Sequence, residues 1–337
     1  MGAGREILFL EADDVERFLD PASCIAAVEA AFRARGEGQS APTGVLGVHA
    51  PEGGFHVKAA ALPDWRYFVA KVNANFPLNP DRHGLPTIQG VVALFDGRRG
   101  VPLAILDSVR ITALRTAAAS AVAANYLALP RARSLVVVGC GTQGRAHLAA
   151  MRAVRSIEHI LLHDAIPERA ERLAVMARAG GASVEVVRDL GAAVRGSEII
   201  VTCTPSHQPF LGPEDVSPGA FVAAVGADNE HKLEIEPALM GKARVVVDLL
   251  EQCALMGDLR GAIAAGAMRP EGVHAELAEV VAGRRPGRTR DDEIFVFDST
   301  GVALEDIAAA VLVYERARAR GASRRVRGLS HLLPFLR

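Results

Sequence analysis

The stretch Leu135-Val136-Val137-Val138-Gly139-Cys140-Gly141-Thr142-Gln143-Gly144 decides the fold. Four apolar residues in a row read as a strand buried on both faces. A Gly-x-Gly-x-x-Gly turn follows at once, and Arg145–Val154 then has helical spacing. In that order each glycine has a task. Gly139 makes the tight turn, Gly141 lets a pyrophosphate approach the backbone, and Gly144 lets helix and strand pack closely. The helix N-terminus, just after Thr142 and Gln143, offers free N–H groups to the phosphates. A second strand ends at Asp164, twenty residues after Gly144. An acid there can hold both adenosine ribose hydroxyls and would repel a 2′-phosphate, and Ala165-Ile166-Pro167 supplies no cation to offset that. The expected cofactor is therefore NAD.

Outward from this stretch, strand-like runs alternate with helical ones. The runs are Ser134–Val138, His159–His163, Ser183–Val187, Ile199–Thr202, Ala220–Val225, Val245–Asp248 and Glu293–Phe297. The rhythm predicts βαβ units and a Rossmann-type, doubly wound parallel sheet. Residues 43–106 read differently, as closely spaced strands at Val45–Val48, Phe55–Ala61, Phe68–Asn73, Gln89–Phe95 and Pro102–Leu106. They predict a smaller α+β unit. Asp20-Pro21 opens a helix in the same region. A further helix is expected to be capped near Thr112 and stopped by Pro130, and a last one spans 302–320. The expected division is 1–118 with 302–337 as one domain and 119–301 as the NAD-binding domain.

Composition narrows the function. Of 337 residues half are hydrophobic, 23% charged and 5% aromatic, with formal charge -1. No basic field exists to hold nucleic acid, and no apolar run reaches the length of a membrane span. The four cysteines Cys24, Cys140, Cys203 and Cys253 form no CxxC pair, which argues against a zinc site and fits a reducing cytoplasm. The N-terminal residues lack the apolar core of a signal peptide. No metal is expected; His159 and His163 could share a strand face, but no third ligand is evident.

Three residues stand out as chemical candidates. Asp228 follows a strand end, where a carboxylate can exchange protons with an amine or water; position alone allows a loop cap equally. Lys71 lies inside Phe68-Val69-Ala70-Lys71-Val72, where burial would lower its pKa, although a solvent-facing lysine is the plainer alternative. Arg115, expected in the first turn of its helix, suits an anion, or a structural salt bridge; Arg110 is a second candidate.

Taken together the chain resembles the ornithine cyclodeaminase/mu-crystallin family, and within it the archaeal-type alanine dehydrogenases and imine reductases. The motifs are Lys71-Val72-Asn73 with Phe76-Pro77 and Asn79, Gly84-Leu85-Pro86-Thr87, Pro102-Leu103-Ala104 and Thr112-Ala113-Leu114-Arg115-Thr116-Ala117-Ala118. Beyond the glycine turn come Thr204-Pro205-Ser206, Gly226-Ala227-Asp228 with Lys232, and Phe297-Asp298-Ser299-Thr300-Gly301. The resemblance implies a homodimer acting on a small amino acid or its imine. It implies Lys71 and Asp228 as catalytic groups, Arg115 as the substrate-carboxylate ligand, and Thr116, Thr204 and Ser299 near the cofactor. Two departures matter. Ala41-Pro42-Thr43-Gly44 lacks the arginine that many members carry there, and Lys58 stands where cyclodeaminases proper have a glutamate. A lysine repels the distal amine of ornithine and suits a carboxylate, which favours a dehydrogenase or imine reductase over a cyclodeaminating lyase. A non-catalytic, mu-crystallin-like binder is the other alternative.

Overall fold

The computed structural model describes residues 6–39, 43–62, 64–321 and 324–327. The Ala41-Pro42 half of the arginine-lacking stretch lies outside them. The chain divides into two compact units. The first comprises residues 1–31, 39–115 and 303–337, and the second residues 32–38 and 116–302. Three short pieces thus lie on the other side of the boundary from the sequence expectation: 32–38, which includes the end of a helix, 116–118, and residue 302.

In chain order the first unit begins with β1 (Glu6–Leu10), α1 (Ala12–Phe18) and α2 (Pro21–Gly36). There follow β2 (Thr43–Ala50), β3 (Gly53–Ala61), β4 (Tyr67–Asn75), α3 (Asn79–His83), β5 (Ile88–Asp96), β6 (Val101–Asp107) and α4 (Ser108–Leu127). Asp20 starts α2 as expected, with its carboxylate accepting the Ser23 N–H at 2.9 Å. The antiparallel ribbon β2–β6 carries β1 on its far edge, parallel to β6. One face of this sheet is covered by the helix Ala303–Ala319. The registers are exact enough to name rows of side chains. Val45, Lys58, Lys71, Val92 and Leu106 form one row, and its neighbour on the other face is Leu46, Val57, Val72 and Val91.

One expectation needs correcting. The helix carrying Arg115 starts at Ser108, not near Thr112. Asp107 supplies the start, its Oδ1 accepting the Arg110 N–H at 2.7 Å. Arg115 therefore lies two turns inside α4, beyond reach of the helix-end charge, which fades within the first turn.

The second unit contains β7 (Ser134–Val138), α5 (Thr142–Val154), β8 (His159–His163), α6 (Pro167–Arg178), β9 (Ser183–Val186), α7 (Leu190–Arg195), β10 (Ile199–Thr202) and β11 (Phe221–Ala224). It continues through α8 (Pro237–Lys242), β12 (Arg244–Val247), α9 (Leu250–Met256), α10 (Asp258–Ala264), β13 (Ala275–Glu276), α11 (Leu277–Val281) and β14 (Phe295–Asp298). The chain then returns to the first unit as α12 (Ala303–Ala319), which packs across β3 and β4, and β15 (Arg325–Arg327), which pairs with β1. The sheet order β13-β12-β14-β11-β10-β7-β8-β9 is wholly parallel, as the alternating pattern predicted. Leu135–Val138, Ile199–Val201 and Phe221–Ala224 are buried on both faces. Each such side chain contributes roughly 1.5–3 kcal/mol on leaving water. From β7 the chain winds one way through β8 and β9, and the other way from β10. The crevice at the carboxyl ends of β7 and β10 is therefore the topological switch point where ligands of such sheets bind.

Candidate functional site

At that switch point the three glycines behave differently. Gly139 has φ +96°, a conformation that L side chains rarely adopt, and a Cβ there would lie 2.8 Å from the Cys203 carbonyl oxygen. A Cβ on Gly144 would lie 2.1 Å from the Gly139 carbonyl oxygen, so the third glycine is demanded by helix–strand packing. At Gly141 nothing lies within 4 Å of the added Cβ. The protein does not fill the space over the second glycine, where a pyrophosphate would approach. Gly141 starts α5 without any side-chain cap, Thr142 is exposed, and the buried Gln143 Oε1 has no hydrogen-bond partner. A 13-residue helix with an uncapped N-terminus beside open space fits a dinucleotide. Asp164 follows β8, where the ribose is expected. Its carboxylate accepts the Cys140 N–H and the Ile166 N–H, each at 2.8 Å, and each oxygen retains a second acceptor site.

The next strands bring Thr204 and Asp228 to the same edge. The link between their loops is a residue the sequence reading missed. Glu234, fully buried, accepts the Thr204 N–H and hydroxyl on Oε1 at 2.6 and 2.7 Å. On Oε2 it accepts the Thr202 hydroxyl and the Gly226 N–H at 2.7 and 2.8 Å. Burial pushes its pKa up, and the four donors oppose that. Asp258 supports it by accepting the Glu234 and Ile235 N–H groups. Burial, then the nearby Glu234, raises Asp258 to about 7. Asp298 in turn accepts the Asp258 and Leu259 N–H groups. Ser299, expected near the cofactor, donates its hydroxyl to Asp248 at 3.1 Å. Asp228 is half exposed, with Lys232 Nζ 2.8 Å from Oδ1. Thr116 is buried in α4. His163 Nδ1 lies 3.0 Å from the Val187 carbonyl, and no group of metal-binding side chains occurs among the described residues.

In the first unit the charged row is the candidate site. Lys58 and Lys71 are direct cross-strand partners on the face covered by α12. Like charges set opposite each other destabilise a sheet. Lys71 is 2% exposed, and its Nζ lies 2.8 Å from the Asp306 carboxylate and 3.4 Å from the Thr112 hydroxyl. Burial, with help from Arg115 and Lys58, pushes Lys71 down to about 7, while Asp306 resists. Arg115, 3% exposed, reaches Asp306 with Nε at 2.8 Å and Glu305 with Nη1 at 2.6 Å. Burial works to raise the Asp306 pKa, but Arg115, Lys71 and Lys58 outweigh it and hold the carboxyl below its usual range. Lys71 and Arg115 are thus brought together through Asp306. Arg110 is not; it pairs with Glu16 at the surface. Sequence reading missed Glu305 and Asp306. The signal was two adjacent acids in the first turn of an Ala-rich helix, which resembles ordinary dipole compensation.

A buried ion cluster is poor evidence for stability, because desolvation costs several kcal/mol per ion and the attraction only offsets it. Among the described residues three cations, Lys58, Lys71 and Arg115, gather with two carboxylates, Glu305 and Asp306, when Lys71 is protonated. That arrangement accepts a carboxylate, and a lysine poised near neutrality can give or take a proton beside it.

The sequence profile of the ornithine cyclodeaminase/mu-crystallin family matches residues 5–321. Among solved structures, an archaeal alanine dehydrogenase dimer with bound NAD superposes with a TM-score of 0.91 at 34% identity, covering 95% of this chain and 99% of the other. The Δ1-pyrroline-2-carboxylate reductase of Thermococcus litoralis, in complex with NADH and L-proline, gives 0.90 at 31% identity, covering 95% and 100%. The iminosuccinate reductase of Paracoccus denitrificans, in complex with NAD+, gives 0.88 at 33% identity, covering 96% and 99%.

Proposed function

The chain belongs to the ornithine cyclodeaminase/mu-crystallin family, and from that premise we propose an NAD(H)-dependent oxidoreductase acting on the CH–NH2 or C=N group of a small amino acid or its imine. The observation that carries this reading is the buried Lys71, held between Asp306 and Lys58 beside Arg115. NAD, when bound, takes hydride from the α-carbon or returns it. Gly139, Gly141, Thr142, Gln143, Gly144, Asp164, Thr116, Thr204 and Ser299 are assigned to its binding. Arg115 and Lys58 hold the substrate carboxylate by charge-assisted contacts. Lys71 carries the proton of the substrate nitrogen, and Asp228 that of the water which adds to the imine or leaves it. Related solved enzymes bound to NAD or NADH, and acting on alanine, iminosuccinate or pyrroline-2-carboxylate by name, support the cofactor and the reaction class.

Lys58 argues against the lyase alternative. It sits beside Lys71 in the register, so the substrate end meeting it is expected to be an anion or uncharged, not the second ammonium of ornithine.

The same unit supports the dimer. Leu46, Val72 and Val91 on the uncovered face are 58%, 38% and 46% exposed, and with Val57 they form one continuous apolar row across four strands. Such a face suits a second copy of the chain. Leu46→Asp with Val72→Asp is expected to give a monomer in light-scattering chromatography, and an unchanged mass would remove this face from the interface.

The direct test follows NADH absorbance with NAD+ and a panel of L-amino acids, and with NADH against pyruvate plus ammonia or methylamine and a cyclic imine. Net change with any substrate is expected. Ammonia release from ornithine or lysine without net NADH would establish the lyase instead.

A further inference from the structure

The Asp306 carboxylate touches both Lys71 and Arg115. It is wholly buried at the start of α12, and its two contacts are each 2.8 Å. Its neighbour Glu305, equally buried, pairs with Arg115 at 2.6 Å. One helix turn thus presents two acids. The chain also has 38 Lys and Arg, of which only four are lysines: Lys58, Lys71, Lys232 and Lys242. Arginine does not release its proton in proteins, whereas lysine does. A chain that uses arginine almost everywhere keeps lysine at the buried position facing Asp306.

Resting on the oxidoreductase reading, we propose that Asp306 is a positioning residue for proton transfer: it aims the Lys71 ammonium and, through its shared contact with Arg115, ties the charge of Lys71 to carboxylate binding. The groups facing Lys71 are Asp306 on α12, Arg115 and Thr112 on α4, and Lys58 on β3, with Val92 on β5 as its uncharged cross-strand partner. A substrate carboxylate arriving at Arg115 adds a negative charge near Lys71, and protonated Lys71 becomes the favoured form. In the reductive direction the Nζ–H bond breaks and an N–H bond forms at the substrate nitrogen, while NADH supplies the hydride to carbon. The balance is C=N plus NADH plus H+ giving CH–NH plus NAD+. Lys71 is left as the amine and regains a proton from solvent. Without Asp306, one cation-stabilising charge is lost and Lys71 deprotonates at lower pH.

The test uses the full chain grown with 13Cε-labelled lysine, in which four signals are expected and the Lys71 signal is identified as the one missing from Lys71→Arg. Asp306→Asn is expected to lower the Lys71 titration midpoint by at least one pH unit, and Glu305→Gln by only a few tenths. Adding pyruvate should raise the wild-type midpoint. The falling limb of NADH consumption should move with the midpoint, while the KM for NADH stays put. An unmoved midpoint in Asp306→Asn, or equal shifts in both variants, overturns the proposal. If Asp306→Asn does not fold, Asp306→Glu takes its place. It keeps the charge, so it should keep the wild-type midpoint and lose about tenfold in kcat; a displaced midpoint overturns the proposal there too. The titration needs no turnover, so the two readings fail separately. A shifted midpoint with no NADH-linked reaction sinks the oxidoreductase and leaves Asp306's role standing; turnover with an unshifted midpoint does the reverse.

Discussion

Around Gly139–Gly144 the groups aimed at a ligand are backbone: N–H groups of an uncapped helix and the open space above Gly141. Around Lys71 they are side chains drawn from β3, β4, α4 and α12, residues as far apart in sequence as Lys58 and Asp306. The first kind of site tolerates almost any side chain provided three positions have none. The second depends on charge identity and on the register of a sheet. They therefore break differently under substitution. Lys71→Met is expected to lower kcat by roughly 10²–10⁴, the usual worth of a placed acid–base group, with the NADH dissociation constant unchanged. Asp228→Asn should act in the same direction. Loss of NADH affinity in Lys71→Met, measured by fluorescence titration, would show that the two sites do not divide their labour in this way.

The glycine loop offers the converse experiment. Gly141→Ala adds a methyl where the protein leaves open space, so the fold should survive and NAD affinity should fall at least tenfold. Gly144→Ala places its methyl 2.1 Å from a backbone oxygen, so the protein itself should be destabilised, by roughly 1–3 kcal/mol as for overpacking. Thermal melts with and without NAD+ separate the two. If Gly141→Ala melts low while binding NAD+ normally, the open space is not the cofactor's.

This contrast also explains what could be read from sequence. Gly139, Gly141, Gly144 and Asp164 follow one another within a single strand–helix–strand stretch, and the alternating pattern around them is regular enough to predict a parallel sheet. Lys71 was ambiguous, because alternation does not say which face of β4 is covered. α12, nearly all of it beyond position 303, decides that. Arg115 was expected at a helix end, but Asp107 begins the helix a full turn early, and Glu305 and Asp306 hold the guanidinium instead. Glu234 was invisible, since a lone glutamate in a loop carries no periodic signal until four donors converge on it. Lys58 was read through its family position, and the register added that it faces Lys71. Lys58→Ala should raise the substrate KM by about 10–100-fold, the worth of one charged hydrogen bond of roughly 1.5–3 kcal/mol, with a smaller change in kcat. Lys58→Glu should go further and favour substrates with a distal amine. An unchanged preference across a panel of mono- and diamino acids would remove Lys58 from the substrate.

The smallest effect expected tests the rigidity of the backbone site. His147 on α5 is fully buried, with Nε2 3.0 Å from the Ser120 hydroxyl and Nδ1 2.9 Å from the Gln143 carbonyl oxygen. Its ring ties the first turn of α5 to α4. Burial pushes its pKa down from 6.5 to about 4, against the Gln143 contact. A group depressed in the folded state stabilises above its unfolded pKa, and that contribution is lost as pH falls toward the folded value. The window here runs from about 6.5 to about 4, and at pH 5.5 the loss is about 1 kcal/mol, from 1.36 kcal/mol per pH unit. In urea melts the stability gap between wild type and His147→Gln should be constant from pH 7 to 8 and narrow steadily below 6.5. Carboxylates common to both proteins cancel in that difference. A gap that stays constant to pH 4.5 would mean that the imidazole is not held neutral, and that the first turn of α5 gains no pH-sensitive support from it.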